Sequence, residues 1–156
     1  MHVIETSSPG DLVGLLEILE DHGSPVDIAR LDDSLDEERS TLMNLLKDAE
    51  ALSLVEIHKG DVSLTTTGKN FMKSDIEGRR RILKSQLSRV DPFLSVIGMV
   101  RSKKENEITK EDLDQLIEIR FPSEDNEKTF RSIINWGRYS KILEYDSSTE
   151  LITLLP

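Results

Sequence analysis

The sequence predicts a mostly helical α+β chain built from two similar units joined by a long basic helix. Three observations carry this. Apolar residues recur at helical spacing through most of the chain. That period breaks off twice into paired short runs that read as hairpins, Val55–Leu64 and Ile142–Leu154. The charge is segregated, with acidic ends around a basic middle.

Ser8 is placed to cap the first helix, Pro9 suits its first position, and Asp11 sits near the positive end of its dipole. Leu12, Leu15, Leu16 and Leu19 then form one apolar stripe, and Gly23 is a stop signal. Ser24-Pro25 restarts a short helix carrying Ile28, Leu31 and Leu35. A third helix, from about Asp36, puts Leu42, Leu45, Leu46, Ala49 and Leu52 on one face. Val55 and Ile57 alternate with Glu56 and His58, and Val62 and Leu64 with Asp61 and Ser63. Lys59-Gly60 between them makes a hairpin.

Thr67-Gly68 leads into a long middle helix with Phe71, Met72, Ile76, Leu83 and Leu87, broken by Asp91-Pro92. Phe93, Val96, Ile97 and Val100 form the next stripe. Thr109 to Asp112 resembles a capping box, with Asp in place of Glu, ahead of Leu113, Leu116 and Ile117. Ser123 can cap another helix, with Phe130, Ile133 and Ile134 inward. Ile142–Tyr145 and Leu151–Leu154 flank Asp146-Ser147-Ser148 as a second hairpin. Three helices followed by a two-stranded wing is the winged-helix order. The expected layout is therefore a first winged-helix-like unit over 1–68, a connecting basic helix over 69–90, and a second unit over 91–156. The halves are not visibly similar in sequence, so the repeat is one of architecture.

The chain has 156 residues and a net charge of −10. Residues 1–68 balance to −11, 69–104 to +7 and 105–156 to −6. The basic middle either pairs with the acidic lobes, within one molecule or in a dimer, or docks an acidic partner. Arg79, Arg80 and Lys84 are expected to face such acidic groups. Asp75–Arg79 and Glu77–Arg81 are i, i+4 pairs that partly neutralise the cluster. Ile76, Leu83 and Leu87 share a stripe and are expected to be buried. Trp136, Arg138 and Tyr139 are further interface candidates, packed in the core and rim around the second wing.

Groups for chemistry are missing from the sequence. It has no cysteine, hence no disulfide or thiolate metal site. His2, His22 and His58 lack metal spacing. Gly68-Lys69-Asn70 resembles the end of a phosphate loop, but Ser63 replaces the first glycine and Asn70 the required Ser/Thr. Asp32-Asp33 and Asp36-Glu37-Glu38 lack the glycine turn of a calcium loop. No catalytic, cofactor-binding or metal-binding residue is expected. No apolar run is long enough to span a membrane, and the first residues lack the pattern of a signal peptide, so a cytoplasmic protein is expected. Both candidate DNA-reading helices begin with carboxylates, Asp36-Glu37-Glu38 and Glu124-Asp125 with Glu127, which argues against nucleic acid as a partner.

Four segments resemble one known family: PGDLVGLLEILEDHG at Pro9–Gly23, DIARLDDSL at Asp27–Leu35, GDVSLTTTGKNFMKSDIEGRRRIL at Gly60–Leu83, and NWGRYSKILEYDSSTE at Asn135–Glu150. They resemble the AAA-associated C-terminal domain that follows the ATPase of nitrate/sulfonate/taurine-type ABC transporters. The resemblance implies a non-catalytic regulatory module beside the ATP-binding subunit of an uptake transporter, or paired with a second copy. The alternative is a winged-helix DNA-binding transcriptional regulator. A third class, a small-molecule sensor, needs a pocket between the two lobes.

Overall fold

A computed structural model describes residue 4 and residues 8–23, 25–34, 39–122 and 124–156. The expected roles of His2, Ser24, Leu35, Asp36, Glu37, Glu38 and Ser123, and of the Asp32 and Asp33 side chains, lie outside the described residues. The first half runs α1 (Pro9–His22), β1 (Val26–Asp27), α2 (Ile28–Ser34), α3 (Arg39–Ala51), β2 (Val55–His58) and β3 (Asp61–Leu64). Two helices follow, α4 (Thr66–Lys73) and α5 (Ile76–Leu87). The second half runs α6 (Phe93–Arg101), β4 (Glu107–Thr109), α7 (Lys110–Arg120), α8 (Asn126–Tyr139), β5 (Leu143–Asp146) and β6 (Leu151–Leu154). The protein is α+β and mostly helical, with two small antiparallel sheets.

The two halves share an order, helix–strand–helix–helix–hairpin, and a strand arrangement: β1-β3-β2 in one sheet and β4-β6-β5 in the other. Val26 and Ile57 flank Val62, just as Ile108 and Tyr145 flank Ile152. Backbone hydrogen bonds repeat as well. Ile28 N donates to Gly60 O, and Lys110 N to Glu150 O, each at 2.9 Å. Thr65 N donates to Leu54 O at 3.0 Å, and Leu155 N to Ile142 O at 2.9 Å. The strands β1 and β4 were not expected from sequence, because two or three residues carry no visible period.

Helices α3 and α8 end in the same way. Ser53 N donates to Glu50 O and Leu54 N to Ala49 O; Lys141 N donates to Arg138 O and Ile142 N to Gly137 O. Ser53 and Lys141 are left-handed, with φ of 60° and 58°. This double bond is the Schellman motif, built here without the usual glycine. It turns the chain from helix into hairpin. The packing beneath it differs between the halves: Ala49 and Val55 in the first, Gly137 and Leu143 in the second. A Cβ at Gly137 would lie 2.5 Å from Leu143 Cγ, so the larger leucine requires glycine opposite.

Each hairpin is also tied to the helix before it. Glu50 Oε2 accepts from Ile57 N at 3.3 Å. Arg138 Nη2 donates to the Tyr145 carbonyl, with its guanidinium carbon 5.7 Å from the Tyr145 ring centre. Lys59-Gly60 closes the first hairpin with both residues at positive φ, as a two-residue turn requires. The second turn is longer. Asp146 Oδ1 accepts from Ser148 Oγ at 2.6 Å, Ser148 N at 2.9 Å and Thr149 N at 3.4 Å.

Other caps follow the sequence closely. Thr109 and Asp112 form a reciprocal capping box, both bonds at 3.1 Å. Pro9 opens α1 and Gly23 ends it at φ 74°, whereas the Ser8 side chain makes no capping bond. Asp125 caps α8 by accepting from Lys128 N at 3.0 Å. The expected single middle helix is two. Asp75 accepts from Gly78 N at 2.8 Å and starts α5 afresh, while Ser74 N closes α4 on Phe71 O. Ile76 consequently lies in an exposed first turn, 66% accessible, against the expectation of burial. Leu83 and Leu87 are fully buried. One apolar cluster runs through both halves, from Leu12 and Leu46 through Leu83, Leu87 and Phe93 to Trp136 and Ile152.

Two outcomes are expected. Gly137→Ala should cost about 1–3 kcal/mol through overpacking, and adding Leu143→Val, which reproduces the Ala49–Val55 pair, should restore part of it in urea denaturation. The hydrogen bonds from Ser148, side chain first, hold the Asp146 carboxyl below its usual 3.8. Its folded value being lowered, the stability it lends is present above 3.8 and is lost as pH falls through the lower folded value. Asp146→Asn should therefore flatten the acid limb of a melting-temperature profile without changing its neutral plateau by more than the lost hydrogen bonds.

Candidate functional site

The candidate residues of the basic middle lie on or beside α5. Gly68 sets the approach of α4: a Cβ there would sit 2.1 Å from Leu54 O, so only glycine lets α4 rest on that carbonyl. Its N–H donates to the Thr65 cap at 2.9 Å. This gives Gly68 a packing role at the place where its neighbours suggested a phosphate loop.

Arg79 turns back on the preceding helix. Its Nε donates to Phe71 O at 3.1 Å and its Nη2 to Met72 O at 3.2 Å, with the guanidinium carbon 5.2 Å from the Phe71 ring centre. It thus adds a second donor to the Phe71 carbonyl, which also accepts from Ser74 N, and supplies one to the Met72 carbonyl at the end of α4. Arg80 pairs with Glu77 at 2.9 Å, its side chain 31% exposed, and Glu77 also lies 3.6 Å from Lys141 Nζ after α8. The expected Asp75–Arg79 and Glu77–Arg81 pairs do not form. Asp75 is drawn to its own helix start, and Glu77 reaches the nearer Arg80 one turn on. Lys84 Nζ donates to Pro156 O at 3.0 Å, beyond the last strand.

A further residue was invisible in the sequence. Gln86 Nε2 donates to Leu52 O, at the end of α3, at 2.9 Å. Nothing marks a glutamine on a helix as an inter-unit bridge, because its partner is a backbone group. With Leu83 and Leu87 buried beneath it, α5 touches the first unit through Gln86 and the second through Lys84 and Glu77. Arg79 and Lys84 meet backbone carbonyls, and Arg80 meets a carboxylate of its own helix, Glu77.

The remaining candidates lie on α8. Trp136 is fully buried, Tyr139 is half-buried against the core, and Arg138 is exposed while bonded to Tyr145. Phe130 meets Tyr145 edge-on at 5.4 Å. The outward face of α8 carries Lys128, Arg131, Asn135 and Arg138, all exposed. It is basic, although the residues before it are acidic; the stripe is legible only once helical spacing is applied to 128, 131, 135 and 138. Where Ile4 meets the start of α8, a cleft of about 150 Å³ is lined by Glu124, Asp125, Lys128, Thr129 and Ser132. That is small beside ligand sites of roughly 300–1,000 Å³. Among the described residues no three His, Asp or Glu side chains converge to hold a metal ion, and no helix is long and apolar enough to cross a membrane.

The model of one family, the C-terminal AAA-associated domain, matches residues 29–146, most of the chain. The match leaves out α1, part of the resemblance seen at Pro9–Gly23. No curated protein and no solved structure matches.

Gln86→Ala should lower stability by about 1 kcal/mol, with a larger loss if the Leu52 carbonyl is left dry. Lys84→Ala, losing an exposed bond, should cost less than about 1 kcal/mol. Urea denaturation of the full chain measures both.

Proposed function

The chain belongs to the C-terminal AAA-associated domain family, and on that basis we propose that it is a non-catalytic regulatory module. Its partner would be the ATP-binding subunit of an ABC-type anion or sulfonate uptake transporter, which places it in the cytoplasm at the membrane face. The family match over residues 29–146 carries this reading. Three structural facts support it. Gly68 packs on a carbonyl and leaves no phosphate cradle beside Lys69. The two halves share one apolar cluster, so they pack together as one body. The charged outer faces of α1 and α8 are exposed and offer contact surfaces.

The repeated order of elements supports treating each half as a winged-helix-like unit, with residues 1–68 and 91–156 as the units and 69–90 as the connection. Arg80, Lys84 and Arg138 remain the surface candidates among the residues singled out. Trp136 would act from within, by shaping the α8 face.

The purified chain should co-elute with a cognate ATP-binding subunit in size-exclusion chromatography and alter its ATP turnover, while showing none alone. Turnover by the isolated chain that Lys69→Ala abolishes would overturn the non-catalytic reading. Failure to co-elute with the ATP-binding subunit would overturn the partner.

A further inference from the structure

Helices α1 and α8 pack against each other and carry opposite charge on their outer faces. On α8, Lys128, Arg131, Asn135 and Arg138 fall within about 80° of arc at 100° per residue. On α1, Glu17, Glu20 and Asp21 are exposed within about 100° of arc, turned from the stripe of Leu12, Leu15, Leu16 and Leu19, and exposed Asp11 lies about 80° beyond Asp21. Among the described residues, no ion pair engages Lys128, Arg131 or any of those four acids. The basic face of α8 and the acidic face of α1 are thus opposite in charge and both exposed.

From this complementarity we propose that the chain forms a two-fold dimer in which α8 of each copy lies on α1 of the other. The adjacency of the two helices in one molecule is what makes the pairing close. A two-fold axis between them satisfies both rows at once and leaves no row to recruit a third copy. A nucleic acid suits the basic row less well. Glu124, Asp125 and Glu127 precede Lys128, and Glu144 and Asp146 stand on the hairpin that Arg138 is bonded to. A duplex, negative along its whole length, would meet those carboxylates, whereas the acidic face of α1 from Glu17 to Asp21 covers little more than one helical turn. The proposal names a second copy as a partner within the interaction-module reading, but it needs no ATPase. A chain that dimerises yet ignores the transporter subunit, or the reverse, separates the two.

Sedimentation equilibrium of the full chain in low and in molar salt is the test. A dimer is expected in low salt, its dissociation constant rising at least about tenfold in molar salt as exposed pairs are screened. The Lys128→Glu/Arg131→Glu variant should be monomeric, and so should Glu17→Lys/Glu20→Lys. Mixed together, they should form a heterodimer, because each then meets the opposite charge at both contacts. All four positions are exposed, and circular dichroism checks that each variant is folded. A wild-type monomer in low salt overturns the proposal, as does a dimer indifferent to either reversal. So does a mixture of folded variants that stays monomeric. Duplex DNA bound by a monomeric wild type and lost in Lys128→Glu/Arg131→Glu would assign the basic row to a polyanion instead.

Discussion

The hydrogen bond from Gln86 to the Leu52 carbonyl joins α5 to the point where α3 ends and the first hairpin begins. From the same helix, Lys84 reaches the carbonyl of Pro156, just beyond the second hairpin. Leu83 and Leu87 fill the space between, fully buried. Two polar contacts a half-turn apart thus fix one helix to both units over a shared apolar floor. The units cannot rotate about each other without breaking one of those bonds and opening the core beneath. Arg79 secures the near end of this strut, since its bonds to Phe71 and Met72 set the angle at which α5 leaves α4.

The two units reach one architecture with different residues. Their helix-to-hairpin corners share a hydrogen-bond pattern and a left-handed residue, yet Ser53 stands in one and Lys141 in the other. Beneath the corners, small-against-large packing is conserved in sum but redistributed, Ala49 with Val55 and Gly137 with Leu143. At Asp48 the first unit buries a carboxylate where the second buries Trp136, four residues before the equivalent points Leu52 and Ser140. The duplication lies in backbone geometry, which is why comparing the halves residue by residue does not reveal it.

That contrast explains what was legible. Long apolar stripes, such as Leu12 to Leu19 and Leu42 to Leu52, announce their helices, and the Thr109–Asp112 box announces its cap. The hairpins were legible because alternation and turn residues coincide there. The break at Ser74-Asp75 was not, because the apolar spacing of Phe71, Met72, Leu83 and Leu87 runs through it undisturbed. Only the competition of an aspartate for free N–H groups shows the interruption. The basic cluster was legible as charge but not as contact. Arg79, Lys84 and Gln86 all bind backbone carbonyls, and backbone groups leave no mark in a sequence. Counting charges along residues 69–104 thus could not show that, within the chain, Arg79 and Lys84 are spent on carbonyls and Arg80 on Glu77 of its own helix.

Glu50 and Arg138 hold equivalent places at the ends of α3 and α8, and each ties off an outward backbone group of its hairpin, one an N–H and the other a carbonyl. The strands they touch, β2 and β5, are the outermost of their sheets, and the opposite margins, β1 and β4, are only two and three residues long. A free sheet margin invites any extended peptide to add itself as another strand. Here a side chain of either charge does the same blocking task, by accepting in one unit and donating in the other. On each longer edge strand, one outward backbone group is thus already taken, so a strand added there would have to displace the side chain that holds it.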